Sequence, residues 1–106
     1  MIELLITGWL VIDSISPGPK ESLYTLKDPV RNYLLTVELP DSRALGLASL
    51  GYKFEEGSNI RIAAWASCTE IRDEYRQYLC TTTEDRFKEL PCRANEGIWI
   101  AGIQYC

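Results

Sequence analysis

The chain has 106 residues, a net charge of −4 and an isoelectric point near 4.8. That length is one domain, and folding should bury roughly 65% of the extended-chain surface, enough for a core without metal or disulfide staples. The acidic balance is the reverse of a dedicated electrostatic nucleic-acid binder, so any such role needs a local basic groove.

Composition excludes more. Hydrophobic content of 46% and charged content of 25% are ordinary for a soluble domain. There is no histidine, the usual acid–base group at neutral pH. Cys68, Cys80, Cys92 and Cys106 stand singly, without the paired spacing of a zinc site. They read as free thiols of a cytoplasmic protein, because disulfides would need a secretion route the sequence does not show. Residues 2–15 are apolar-rich but carry Glu3, Thr7 and Asp13, with no basic segment ahead of them. That argues against a signal peptide, and no window reaches the length of a membrane span.

In chain order, residues 1–16 form a long first strand. Ile2, Leu4, Ile6, Leu10 and Ile12 mark one face, and Glu3, Leu5, Thr7, Trp9, Val11 and Asp13 the other. Gly8 falls mid-strand and suggests a bend. A Pro-Gly-Pro loop follows, then strand two at Leu23–Lys27 with Tyr24 and Leu26 on one face. Asp28-Pro29 opens a turn. Strand three runs from Tyr33 to Leu39, with Tyr33, Leu35, Val37 and Leu39 together. Asp41 or Ser42 can cap a short helix over Arg43 to Leu50, after which Tyr52 and Phe54 plug one end of the fold. Strand four, Ile60 to Ala66, points Ile60, Ile62 and Ala64 inward and Arg61, Ala63 and Trp65 outward.

Beyond residue 68 the period is ambiguous. Ile71, Tyr75, Tyr78 and Leu79 have helical spacing, which favours a helix over a strand continuing from Ile60. Thr82 or Thr83 can cap a second short helix, Glu84 to Leu90, stopped by Pro91. Ile98–Tyr105 closes the chain as a last strand. Two strands, a third, one short helix, a fourth strand and a last one are the parts of a small five-stranded Greek-key barrel. The expected fold is therefore mostly β, one domain over 1–106. A partly helical insertion at 68–97 precedes the fifth strand.

Three stretches resemble the OB-fold of the nucleic-acid-binding, anticodon-binding and replication-factor-like type. They are Gly8-Trp9-Leu10-Val11-Ile12, then Tyr24–Asp28 with Leu34–Leu39, and Phe54–Ile62. The resemblance covers residues 8–66 and implies a ligand face on strands two and three with the adjoining loops. Carried over by position, that face holds Thr25, Lys27, Arg31 and Thr36, with Arg61 and Trp65 nearby. The face has few aromatics for stacking bases, and Trp9, Trp65 and Trp99 read as core or partial core. The long connection departs from the family and is expected to carry this protein's own specificity. Its candidates for a partner are Arg72, Tyr75, Arg76, Tyr78, Phe87 and Arg93.

Catalysis finds no support. Asp73/Glu74 and Glu84/Asp85 are sequence neighbours that do not face each other on a helix. No cysteine has a visible activating base. The sequence therefore reads as a non-catalytic module without cofactor or metal. It acts through protein–protein interaction as a small subunit, adaptor or inhibitor, and single-stranded DNA or RNA binding is the alternative. A homo-oligomer is compatible with either reading, and a membrane partner is not expected.

Overall fold

The computed structural model describes residues 1–43, 55–71, 76–90, 98–100 and 103–105. The described part is mostly β. The strands are β1 (Ile2–Pro17), β2 (Glu21–Asp28), β3 (Tyr33–Pro40), β4 (Asn59–Ile71), β5 (Gln77–Thr81) and β6 (Phe87–Glu89). Two short ones, β7 (Ile98–Ile100) and β8 (Ile103–Tyr105), follow. Residues 41–43 begin a helical turn after β3.

Five strands form a ring within one sheet. β1 pairs with β2, β2 with β3, β3 with β5, β5 with β4, and β4 returns to β1. All of these contacts are antiparallel except β3 with β5. The long first strand makes the ring possible. Its first part, Ile2 to Val11, lies along β4, and its second part, Val11 to Pro17, lies along β2.

The inward faces follow the alternation in the sequence. Tyr24 and Leu26 on β2, Leu35, Val37 and Leu39 on β3, and Ile60, Ile62 and Ala64 on β4 are all buried. The β1 register has one irregularity. It is not a bulge at Gly8, where the β1–β4 register runs unbroken opposite Ile62. The register instead slips between Ile12 and Ser14, an extra residue at Asp13 that moves the inward phase from Ile12 to Ile15.

Gly8 has a different use. Its φ is +115°, outside the range open to other residues, and a Cβ there would sit 3.7 Å from Arg31 Nη2. That guanidinium also donates to the Thr7 carbonyl. Replacing Gly8 by Ala should therefore cost about 1–2 kcal/mol through backbone strain alone. A thermal melt of G8A checks this; an unchanged midpoint would show that the strand relaxes at no cost.

Three expectations for the C-terminal part are overturned. Residues 77–81 are strand, not helix. Tyr78 and Cys80 alternate with exposed Leu79 and Thr81, so a period of two fits these residues as well as the helical spacing did. Closure between β3 and β4 decided between the periods. The ring's fifth strand is thus β5, inside the stretch assigned to an insertion, and the β4–β5 connection is short. Ile98–Tyr105 is not the closing strand but a two-stranded antiparallel pair of its own. The helix expected over Glu84–Leu90 is one 3₁₀ turn, Glu84–Arg86, followed by β6 on β4. Thr83 precedes that turn, but its hydroxyl bonds the Asp85 carboxylate instead of a backbone N–H.

The free-thiol expectation fails for two cysteines. Cys68 and Cys80 face each other across β4 and β5, both buried, and form a disulfide. Arg43 ties the segment after β3 to β6. It donates to the Glu84 carbonyl at 3.0 Å, the Phe87 carbonyl at 2.6 Å and the Glu89 carboxylate at 2.8 Å. The rest of the helix after residue 43, the Tyr52 and Phe54 plug, the Trp99 side chain, Cys92 and Cys106 lie outside the described residues. Among the described residues no helix is long and apolar enough to cross a membrane.

Candidate binding face

The expected ligand residues separate into two places. Thr25 and Thr36 are register partners on β2 and β3. The Thr36 hydroxyl is turned to the Cys80 carbonyl at 3.4 Å. The remaining four border the outer face of β1 and β4, Lys27 from the same side of β2 as Thr25. Arg61 lies opposite Trp9, and Trp65 lies opposite Leu5. Lys27 lies opposite Val11, one pleat along from Trp9 on the same face of β1.

By bulk Trp9 and Trp65 read as core or partial core, and by strand phase Trp65 reads as outward; Trp9 is 42% exposed and Trp65 is 50% exposed. Pleating explains this. Trp9 is in phase with Leu5 and Val11, opposite to the buried Ile6 and Leu10. The sequence does place Trp9 on that outer phase. Indole hydrophobicity argues for the interior, and in the ring the strand phase outweighs it. Trp9 and Trp65 stand four residues apart along the sheet, about 13 Å at the usual rise per residue.

Arg31 has a structural task. Asp28 is buried and accepts from the Val30 N–H at 3.0 Å, the Arg31 N–H at 3.1 Å and Arg31 Nε at 2.6 Å. Burial works to raise the Asp28 pKa, but the Arg31 and Val30 N–H groups and the guanidinium charge outweigh it and hold the carboxyl below its usual value. The guanidinium also lies 5.3 Å from the Tyr33 ring centroid. Tyr33 in turn meets Tyr78 edge to face at 5.5 Å. Arg31 thus ties the β2–β3 turn to β1 just before Trp9.

The described candidates of the C-terminal stretch, Arg76, Tyr78 and Phe87, do not form one partner surface. Phe87 is buried in the core and lies under the Arg43 guanidinium. Tyr78 is half-buried against Tyr33. Arg76 is exposed beside β5 with φ of 46°. Arg72, Tyr75 and Arg93 lie outside the described residues. Two other cations of this stretch, Lys88 and Arg86, reach the β1–β4 face instead. Lys88 lies opposite Ala63. Arg86 pairs with Glu3 at 2.8 Å, and Glu3 is held below its usual pKa by the Ser67 hydroxyl and then by Arg86.

The face therefore carries two exposed indoles with Lys27, Arg31, Arg61, Arg86 and Lys88, against Glu3 and Asp85. Lys27 and Lys88 make no ion pair among the described residues. The positive strip ends at the bulge, where Asp13 is exposed and Glu56 accepts from the Ile15 N–H at 3.2 Å. Among the described residues no group of carboxylates and thiols could hold a metal ion. A scan against protein-family models found no matching family, and searches of curated proteins and of solved structures found no match.

Proposed function

We propose that this chain is a non-catalytic, OB-type binding module that holds single-stranded nucleic acid on the outer face of β1 and β4. The observation that carries the reading is Trp9, exposed mid-strand with Arg61 opposite on β4 and Lys27 diagonal to it on β2. Bases stack on exposed aromatics in a sequence-tolerant way, and neighbouring cations hold the phosphates. The five-strand ring, with β5 inserted in parallel beside β3, supports the OB-type, Greek-key description. The net charge of −4 does not oppose it, because Lys27, Arg31, Arg61, Arg86 and Lys88 border one face.

Titration of a fluorescent dT oligonucleotide of about fifteen bases, within the usual range of site sizes, tests the proposal. Binding should weaken with salt. Trp9→Ala should reduce affinity by roughly 5- to 150-fold, the worth of one stacked base. Lys27→Ala should flatten the salt dependence by about 0.7 of a log unit per log unit of salt. Thr36→Ala, on β3 and two strands from Trp9, should change nothing. No binding at tens of micromolar in low salt, or binding indifferent to Trp9→Ala, would sink the reading.

A protein partner is the second reading, favoured by one observation. Leu5 and Trp65 face each other across β1 and β4, each half exposed, above a hollow of about 400 Å³ that reaches Arg86 and Lys88. Aromatic and arginine residues around an apolar centre are what interaction hot spots are made of.

A further inference from the structure

We propose that the partner for the Leu5–Trp65 end of this face is a second copy of the chain, docked side chain to side chain along residues 82–88. The proposal rests on the protein-partner reading of that end, and on nothing at Trp9.

Residues 82–88 separate two hollows of opposite sign. On one side Thr82, Thr83 and Glu84 border a hollow of about 390 Å³ that also takes in Glu21, Leu23 and Glu38. It adjoins one of about 600 Å³ through those same three residues, where Lys20 is the single cation. On the other side Asp85, Arg86 and Lys88 border the hollow under Leu5 and Trp65. Each side has an exposed apolar centre. Leu23 is 39% exposed on the acidic side, and Leu5 is 50% exposed on the basic side. Glu21, Glu38 and Lys88 make no ion pair among the described residues, while Glu84 lies 3.8 Å from Arg43.

A partner covering both hollows must offer a basic rim to one and an acidic rim to the other, spaced by one short segment. The chain turned about a two-fold axis offers both at once. In such a pair each contact occurs twice, residue i against j and j against i. The Lys88 side of each copy then meets the Glu38 side of the other. Continuation of the sheet through β6 is not the mode, because Arg43 already takes the Phe87 carbonyl on that edge strand. Apolar centres inside charged rims are the usual anatomy of a specific interface.

Sedimentation equilibrium on the full chain, over a wide concentration range at low and high salt, reads the outcome. The expected result is a species of twice 12.1 kDa that loosens with salt. Glu38→Lys and Lys88→Glu should each weaken it by about tenfold or more, since like charges then face each other at both repeats of the contact. An equimolar mixture of the two variants should regain the dimer, because each supplies the charge the other now lacks. That rescue separates a lost interface from a lost fold, and thermal melts of each variant run beside it. Trp9→Ala should dimerise normally, so failure of strand binding and failure of pairing are read separately. A monomer at every concentration, a dimer indifferent to both substitutions, or no recovery on mixing would overturn the proposal. If the wild type stays monomeric while a substitution of Trp65 weakens dT binding, that end belongs to the nucleic-acid face instead.

Discussion

Replacing both Cys68 and Cys80 by alanine should lower the thermal midpoint by roughly 12–24 °C, the shift that about 3 kcal/mol produces in a domain of this size. The bridge closes a loop of 12 residues in sequence, and in the chain-entropy account that closure is worth about 3 kcal/mol. The effect is placed where the ring is thinnest. β5 is held by four register pairs to β3 and five to β4, and the disulfide links it covalently to β4 at Cys68 and Cys80. Both residues are buried, so the substitution also removes packing. Melts of the double variant against wild type measure the loss. Alkylation after denaturation without reductant, read by mass, establishes the bridge directly. If Cys68 and Cys80 take up label under those conditions, the staple is absent and the stability argument falls with it. Bridges of this kind persist in oxidising compartments. The redox state of this pair is therefore the measurement that bears on the cytoplasmic expectation.

Asp28→Ala should cost about 2–4 kcal/mol, because it strands two backbone donors and a guanidinium that one buried carboxylate now satisfies. The loss reaches beyond the turn. Arg31 would no longer be held to donate to the Thr7 carbonyl, and Thr7 and Gly8 lead directly into Trp9. Affinity for dT should therefore fall in D28A although Asp28 itself faces no ligand. The pH dependence has a definite sign. The folded carboxyl is held below its ordinary value, so its contribution is fully present above that value, about 3.9. It is lost as pH falls through the folded value. Wild type should thus shed stability in the acid range, and D28A should shed less of it. Equal wild-type and D28A losses between neutral and acid pH would show that another carboxylate governs that limb.

The candidate site was half legible before the structure. Thr25, Lys27 and Thr36 do share the outward side of β2 and β3, while Arg61 and Trp65, expected near it, lie on the outer face of β4 beside β1. The neighbour that joins them is Trp9, whose bulk argues for core or partial core while its alternation with Ile6 and Leu10 argues for the outer phase it takes. Arg31, expected on the ligand face, also locks the β2–β3 turn through Asp28 and the Thr7 carbonyl. Phe87 was assigned to a partner and is core, because β6 lays it against β4 opposite Ala64.

What the amino-acid sequence determined by itself was local. The β-prone runs, their period of two and the Asp28-Pro29 turn put Tyr24, Leu26, Leu35, Val37, Ile60 and Ile62 inside. A period is a property of consecutive residues, and burying one face of a strand needs no knowledge of its partner. The tertiary structure decided what depends on partners distant in the chain. Residues 77–81 became strand because an edge was open between β3 and β4. Cys68 and Cys80 became a bridge because that pairing set them opposite each other. Lys27 and Arg61 of an acidic chain border one face because β1 runs between β2 and β4. The stability of such contacts comes from burying groups far apart in sequence against one another, and no window along the chain contains both members of the pair.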